Sequence, residues 1–202
     1  MREELIAALR KHQTGFGFEL PLEKMEALAD FYLLIQEHNP LLHLVGPASP
    51  EEFAVRHILE SLVLSRFLPE NSALADIGTG AGLPSVPCLI VRPDLRGFLI
   101  ESKVKKARFL ENVVAAFALE DRTEILNRQF EEIGRPEVSH VTCRALDKFT
   151  RKLPKILRWS KGCRFLFFGS DSLGRELEKS DVRFERKLIP ESEKRFLFFG
   201  RI

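Results

Sequence analysis

The chain has 202 residues, of which 45% are apolar and 30% are charged. These values are typical of one folded domain, or of one domain with a small extension, and they exclude a disordered chain. The cysteines Cys88, Cys143 and Cys163 form no CxxC pair and no zinc-ligand spacing, so we expect no disulfides and no metal. The charged first segment is unlike a signal peptide, and the charge-free stretch 77–91 is too short to span a bilayer. We therefore expect a cytoplasmic protein without a membrane partner.

The formal net charge of +2 is unevenly distributed. Residues 1–70 carry a balance of −5, and residues 71–202 carry a balance of +7. The basic part is therefore where a polyanion would bind, although an uneven solvated surface explains the same pattern.

The first 70 residues read as helices. Helices are predicted at 5–10 and 22–37, with a Pro- and Gly-containing loop at 38–50. Ser49 is predicted to cap a further helix that begins at residue 50 and runs to about residue 67. We expect this last helix to bury four apolar side chains, namely Phe53, Ile58, Leu62 and Leu64.

From residue 72 onward, short β-like runs alternate with helical stretches. Seven strands are predicted, at 73–77, 97–101, 122–126, 138–143, 163–168, 182–188 and 195–202. Helices are predicted at about 82–91, 103–118 and 146–160. This alternation predicts an α/β fold with a mostly parallel seven-stranded sheet and an antiparallel C-terminal strand. Residues 1–70 would form a helical extension packed on a domain of residues 71–202. The sequence FLFFG occurs twice and indicates two buried strands rather than a repeat protein.

A glycine-rich turn follows the first predicted strand. Gly78, Gly80 and Gly82 alternate in it, and Leu83 stands where a dinucleotide-binding turn would have its last glycine. Glycines let the backbone turn tightly and approach a ligand. Asp76, just before the turn, would repel a pyrophosphate but could attract an ammonium group. The turn therefore favours a ligand with an amino acid portion, and the alternative is a turn without a ligand.

Glu101 ends the second predicted strand, 19 positions after Gly82. An acid at this place can accept hydrogen bonds from both hydroxyls of a ribose. The alternative is an ordinary surface glutamate.

Several short motifs follow one another at characteristic distances. They are RHILES at 56–61, DIGTGAGLPSVP at 76–87, VRP at 91–93, KARFL at 106–110, FEE at 130–132 and CRA at 143–145. The glycine turn and the acid resemble Rossmann-like class I S-adenosylmethionine-dependent methyltransferases. The full combination is similar to the bacterial ribosomal RNA small subunit methyltransferase G family, also called glucose-inhibited division protein B. The resemblance covers about residues 31–147.

The resemblance implies methyl transfer from S-adenosylmethionine to N7 of a guanine in the decoding region of 16S rRNA. The partner would be that rRNA within the small ribosomal subunit or a late assembly intermediate, and the protein would be a monomer. Together with the turn and the acid, it assigns seven residues to the cofactor: Gly78, Gly80, Leu83, Glu101, Phe130, Glu131 and Arg144. N7 of neutral guanine is already an acceptor, so no base is needed and no catalytic residue is assigned.

Basic residues after Glu101 suggest an RNA-binding surface. The predicted RNA-binding residues are His57, Lys103, Lys105, Lys106, Arg108 and Lys148. Trp159 is predicted to pack in the core rather than to stack on a base.

The chain departs from the family at Phe168, where the family has a lysine, and at Glu60, where it has an aspartate. Asn39 keeps the first position of a family N-x-x-x-N-L-T segment, whereas His43 and Val45 replace later polar positions. Three alternatives therefore stay open: a methyltransferase for another RNA, one for a small molecule, or a homologue that binds RNA or the ribosome without catalysis. A dehydrogenase is disfavoured by the glycine spacing.

Overall fold

A computed structural model describes residues 1–144 and 149–202. Seven strands form one sheet in the order β3-β2-β1-β4-β5-β7-β6. The strands are β1 Ala73–Ile77, β2 Arg96–Ile100, β3 Thr123–Leu126, β4 His140–Arg144, β5 Arg164–Gly169, β6 Phe184–Leu188 and β7 Phe196–Arg201. Strands β1 to β5 pair in parallel, and β7 runs antiparallel to both β5 and β6. The predicted fold class is confirmed.

The helices are α1 Arg2–His12, α2 Leu22–Leu42, α3 Pro50–Phe53, α4 Glu60–Leu62, α5 Ser85–Val91, α6 Val104–Ala116, α7 Phe149–Trp159 and α8 Asp171–Glu178. A π-helical turn, Ala54–Leu59, joins α3 to α4, and a 3₁₀ turn, Val63–Phe67, follows. Ser49 caps this continuous segment as predicted. Its Oγ accepts from the Glu52 amide at 3.2 Å, and the Glu52 carboxylate accepts from the Ser49 amide at 2.9 Å.

The end of α2 and the presence of α8 differ from the sequence prediction. Helix α2 continues through Pro40 to Leu42, and a left-handed residue, His43 (φ 48°), ends it, so the predicted loop begins five residues later. Helix α8 was not predicted. It has only eight residues, and its buried apolar side chains are Leu173 and Leu177 alone, too few to display a helical period.

The core lies on both faces of the sheet. On one face, α1 and α2 pack with α5 and α6 around buried residues such as Leu28 and Phe109. On the other face, α7 and α8 cover buried residues such as Ile156 and Phe167. The four side chains predicted to be buried by the segment after Ser49 are all fully buried. Residues 1–70 therefore share one hydrophobic core with α5 and α6 on the first face of the sheet.

The two FLFFG copies are neighbouring strands. In the β5–β7 pair, Phe165 faces Gly200, Phe167 faces Phe198, and Gly169 faces Phe196. The two copies thus align head to tail over their whole length. Both carry fully buried phenylalanines, which confirms that they are buried strands.

Within residues 1–144 and 149–202, no helix combines the length and the apolar character that a membrane crossing needs. The same residues contain no cluster of three or more His, Cys, Asp or Glu side chains that could hold a metal ion.

His12 joins three distant parts of the chain. Its imidazole contacts the Glu51 carboxylate through Nε2 at 2.8 Å and the Glu191 carboxylate through Nδ1 at 2.9 Å. Glu51 belongs to α3, and Glu191 lies between β6 and β7. Hydrogen bonding to Glu51 raises the pKa of His12, and Glu191 adds to the effect. Protonated His12 therefore stabilises the contact of α1 with the core.

We expect His12→Gln to destabilise the protein more at low pH than at high pH. The raised pKa of His12 gives stability that is complete below the unfolded value and disappears as pH rises through the folded value. The decrease in the free energy of unfolding should be about 0.5–1 kcal/mol at about pH 5.5 and close to zero at about pH 9. Urea unfolding at the two pH values measures it, with the exposed His43→Asn as control. A decrease that is equal at both pH values would contradict the charged bridge.

Candidate active site

A polar cavity lies where the strand order reverses, between β1 and β4. At this switch point the connections leave the sheet in opposite directions and open a crevice at the carboxyl ends of the strands. The cavity, here named the main cavity, has a volume of about 530 Å³. Its walls come from the glycine turn, from the ends of β2 and β4, from α6 and α7, and from the helical extension. The lining residues are Leu44, Val45, Gly46, His57, Gly78, Thr79, Gly80, Ala81, Leu83, Glu101, Ser102, Lys103, Lys106, Arg144 and Lys152.

Glu101 fixes the glycine turn from the neighbouring strand. Its carboxylate accepts from the Gly80 amide at 3.1 Å and from the Lys103 amide at 2.8 Å. Gly80 has φ +58°, and Gly82 has φ +86° with its Cα packed so closely that a Cβ would lie 2.5 Å from Val86 Cγ2. Position 82 therefore requires glycine, and the left-handed conformation of Gly80 favours it. The predicted residues Gly78, Gly80, Leu83 and Glu101 meet on one wall of the main cavity.

Asp76 lies beneath the turn rather than in the cavity wall. It is fully buried, and its Oδ2 accepts from Thr79 Oγ1 at 2.8 Å. Burial raises the pKa of Asp76 to about 7, and the hydrogen bond from Thr79 opposes this effect. Because Asp76 is not a lining residue, the expectation that it attracts a ligand ammonium group finds no support in the geometry.

Phe130 and Glu131 lie in a small pocket beside the main cavity, here named the side pocket. It has a volume of about 30 Å³ and shares Gly78, Ser102 and Lys152 with the main cavity. Phe130 is buried and packs edge-on against Trp159. Trp159 is half-buried and donates from Nε1 to the Ile133 carbonyl at 3.0 Å, so it packs against the core as predicted.

Arg144 belongs to a buried ion network, here named the Glu60 network. Glu60 is 2% exposed, and its carboxylate lies 3.4 Å from Arg144 Nη2 and 2.7 Å from Arg195 Nε. Arg144 also donates to Ser61 Oγ at 3.1 Å and to the Arg56 carbonyl. The network connects α4 to the end of β4 and to the residue before β7. Arg144 thus reaches the main cavity in a fixed orientation.

Phe168, at the family's lysine position, is buried beneath Arg144. The Arg144 guanidinium carbon lies 5.7 Å from the centre of the Phe168 ring, a cation–π distance. Phe168 does not line the main cavity. The Phe168 ring therefore packs near the Arg144 guanidinium without forming part of the cavity wall.

His57 lies in the π-helical turn and lines the main cavity. It packs against Phe53 with 4.8 Å between ring centres, and its Nδ1 is buried with no hydrogen-bond partner in the described residues. Burial lowers the pKa of His57 to about 3, and the charges of Arg144 and Arg56 add to the effect. The imidazole is therefore neutral at physiological pH.

The other predicted RNA-binding residues divide into three groups. Lys103 and Lys106 line the main cavity, and Lys106 Nζ donates to the His43 carbonyl at 3.1 Å. Lys105 and Arg108 are exposed on α6 outside the cavity. Lys148 lies outside the described residues.

The sequence-based site missed Lys152 and the loop 44–46. Lys152 touches both cavities, and its place in the basic run of α7 was the available signal. The loop is held by Asn39, whose Oδ1 accepts from the Leu44 and Val45 amides at 2.8 and 3.0 Å. Asn39 therefore orients one wall of the cavity from the end of α2.

Comparison with known proteins identifies the family. The profile of the rRNA small subunit methyltransferase G family matches residues 24–195. The chain belongs to this family. It is 36% identical over 137 residues to ribosomal RNA small subunit methyltransferase G of Desulfotalea psychrophila, covering 65% of this chain and 63% of the relative. It is also 36% identical over 140 residues to the protein of that name from Dichelobacter nodosus, covering 68% and 65%. The matched part thus spans less than two thirds of these relatives' length.

A solved structure supports the fold. A SAM-dependent methyltransferase from Aquifex aeolicus superposes with a TM-score of 0.59 at 17% identity, covering 75% of this chain and 93% of that one. At this identity the likeness concerns the fold alone.

The methyl donor of this enzyme class is S-adenosylmethionine, and the residues present fit it. The glycine turn leaves a surface without side chains beside the main cavity, and a Cβ at Gly80 would meet no atom closer than 3.8 Å. Glu101 offers a carboxylate at the same wall. The side pocket adjoins the main cavity at Gly78 and is bordered by buried Phe130, which offers an apolar aromatic surface there.

We expect the imidazole of His57 to show no titration between about pH 5 and 8, because burial and three neighbouring arginines keep it neutral. Histidine ring signals followed by NMR through this range measure it, and the signal absent from His57→Asn gives the assignment. His12, whose pKa is raised, is the internal contrast. A His57 signal that moves near pH 6.5 would contradict the buried neutral state.

Proposed function

We propose that this protein transfers a methyl group from S-adenosylmethionine to N7 of a guanine in the decoding region of 16S rRNA. The observation that carries the proposal is the main cavity, which joins a glycine turn and the Glu101 carboxylate to a rim of Lys103, Lys106 and Lys152. An acid on the inner wall suits a ribose, and amines at the rim suit an RNA phosphate backbone. Family membership supports the same activity.

Glu101 would hold the ribose hydroxyls of the cofactor, and Phe130 with Glu131 would hold its adenine. The cofactor would lie along the backbone of Gly78 and Gly80 and the side chain of Leu83. Bound S-adenosylmethionine supplies a methyl group on a positively charged sulfur. Glu101 is fixed by two amides and Arg144 by the Glu60 network, so these groups need no rearrangement on binding.

The chemistry requires positioning more than proton transfer. N7 of guanine carries a lone pair in the neutral base, so no side chain has to remove a proton before attack. The methylated base gains positive charge, which a nearby imidazolium would repel. His57 avoids this repulsion because it stays neutral. We propose that the protein accelerates the reaction by holding the guanine against the cavity wall and by excluding water.

The remaining parts of the proposal concern organisation and partners. We propose that residues 1–70 form an extension of a methyltransferase domain of residues 71–202; the shared core of α1 and α2 with α5 and α6 supports a firm attachment. The substrate would be rRNA within the small ribosomal subunit or a late assembly intermediate, which would place the protein in the cytoplasm. We propose that the protein acts as a monomer, and that Lys105, Arg108 and Lys148 extend the basic rim.

Glu101→Gln should weaken S-adenosylmethionine binding by about 10- to 100-fold. The change removes a charged acceptor worth about 1.5–3 kcal/mol and keeps the side-chain shape. Isothermal titration calorimetry measures the affinity. Glu124→Gln on β3 is the matched control, since this acid is exposed and outside both cavities. An affinity within twofold of the wild type would show that Glu101 holds only the turn.

The activity is tested with methyl-labelled S-adenosylmethionine and small ribosomal subunits that lack the modification. We expect label at one guanine N7 of 16S rRNA, located by cleavage of the methylated base and primer extension. Glu101→Gln should reduce incorporation in proportion to its reduced affinity, and Glu124→Gln should not. If the protein binds the cofactor but labels no rRNA, Phe168 marks a different substrate class, and other RNAs and small molecules become the candidates.

A further inference from the structure

A second cavity, of about 360 Å³, lies at the opposite edge of the sheet from the main cavity. It is bordered by the first residue of β5, the last residue of β7 and the residues where β6 begins. We name it the arginine pocket. The residues on which the argument depends are Phe67, Arg164, Arg183, Glu185, Phe199 and Arg201. A six-residue strand places this edge about 20 Å from the main cavity.

Three arginines are brought together in this pocket. Arg164 and Arg201 face each other directly in the β5–β7 register. Arg183 stands one residue before Phe184, which pairs with Gly200, so the third arginine flanks the same place. Within the described residues, none of the three donates a side-chain hydrogen bond or forms an ion pair. All three side chains are exposed, and like charges in directly opposed positions destabilise a sheet, so a bound anion would relieve their repulsion.

The pocket also offers aromatic surface. Phe67 and Phe199 are in contact, with 4.7 Å between ring centres, and both are only partly buried. Phe199 stands two residues from Arg201 on the same strand and therefore points to the same face. Arginines beside exposed aromatic rings bind the phosphate and the base of single-stranded nucleic acid. Among the described residues that line the pocket, Glu185 is the only acid, so an excess of positive charge remains.

We propose that the arginine pocket binds one nucleotide of a single-stranded RNA segment, with its phosphate at Arg164 and Arg201 and its base against Phe67 and Phe199. The inference rests on the proposed function in taking RNA as the ligand. The volume lies in the range of small-ligand sites. A substrate RNA would then contact the protein at both edges of the sheet, and the second contact would add affinity without touching the reacting base.

The test uses the full chain and a fluorescent single-stranded RNA of about twelve nucleotides, with binding followed by anisotropy at several salt concentrations. The variant is Arg164→Gln/Arg201→Gln. Its matched control is Arg96→Gln/Arg175→Gln, which also removes two exposed arginines. Both lie outside the main cavity and the arginine pocket, and neither has a side-chain partner in the described residues. Thermal unfolding checks that both variants fold, and the pocket variant should be no less stable because it relieves a repulsion.

The pocket variant should bind RNA about tenfold or more weakly at low salt, and its salt slope should fall by about 0.7 for each phosphate that is no longer neutralised. The control variant should stay within threefold of the wild type. Equal decreases in both variants would overturn the proposal in favour of a general charge effect. If UMP binds the wild type more tightly than the pocket variant while the RNA binds both equally, the pocket takes free nucleotides, and the RNA contact is overturned.

The two proposals fail separately. A pocket-dependent RNA affinity without methyl transfer to ribosomal subunits would support this inference and overturn the proposed activity. Methyl transfer by a pocket variant with unchanged RNA affinity and unchanged KM for ribosomal subunits would support the activity and overturn this inference. Binding of S-adenosylmethionine should be the same in all three proteins.

Discussion

The buried carboxylate of Glu60 determines how the helices of residues 1–70 meet the sheet. A carboxylate that is 2% exposed loses nearly all of its hydration, and an unpaired charge in such a place costs several kcal/mol. Arg144 and Arg195 must therefore both remain in contact with it. One arginine ends β4 and the other precedes β7, so the network fixes α4 across the carboxyl edge of the sheet. The π-helical turn and the cavity wall that it carries follow from this placement.

The Glu60 network also affects the protonation of His57, which lines the main cavity. Arg144 is bound to Glu60, Ser61 and the Arg56 carbonyl, and its charge lies close enough to His57 to lower the pKa of the imidazole further than burial alone. The Arg144 guanidinium therefore also helps to keep the neighbouring His57 imidazole neutral. Phe168 also contributes, because its ring lies at a cation–π distance from Arg144 and stabilises the guanidinium without adding a further charge.

Local patterns in the sequence were sufficient for the sheet and for the turn. Strand β1 and its three glycines are encoded by residues that adjoin one another, so the turn could be predicted, and Glu101 was recognised from its place at the end of the next predicted strand. Contacts between distant residues left no such pattern. Glu60 and Arg195 are 135 positions apart, and Asn39 acts on the cavity through backbone amides. Asp76 differs from these cases, because its position beside the turn suggested a ligand contact, whereas its side chain is fully buried and does not line the main cavity.

Whether a cation of this protein has an acidic partner depends on where it lies in the fold. Where distant segments join, cations have partners: His12 pairs with Glu51 and Glu191, and Arg144 and Arg195 pair with Glu60. Among the described residues, the lysines at the rim of the main cavity and the three arginines of the arginine pocket form no such ion pairs. Solvated lysines cost little to leave unpaired, but opposed arginines on adjacent strands repel each other. Because these lysines and arginines have no acidic partner in the described part of the chain, their positive charge stays available where a polyanion would lie.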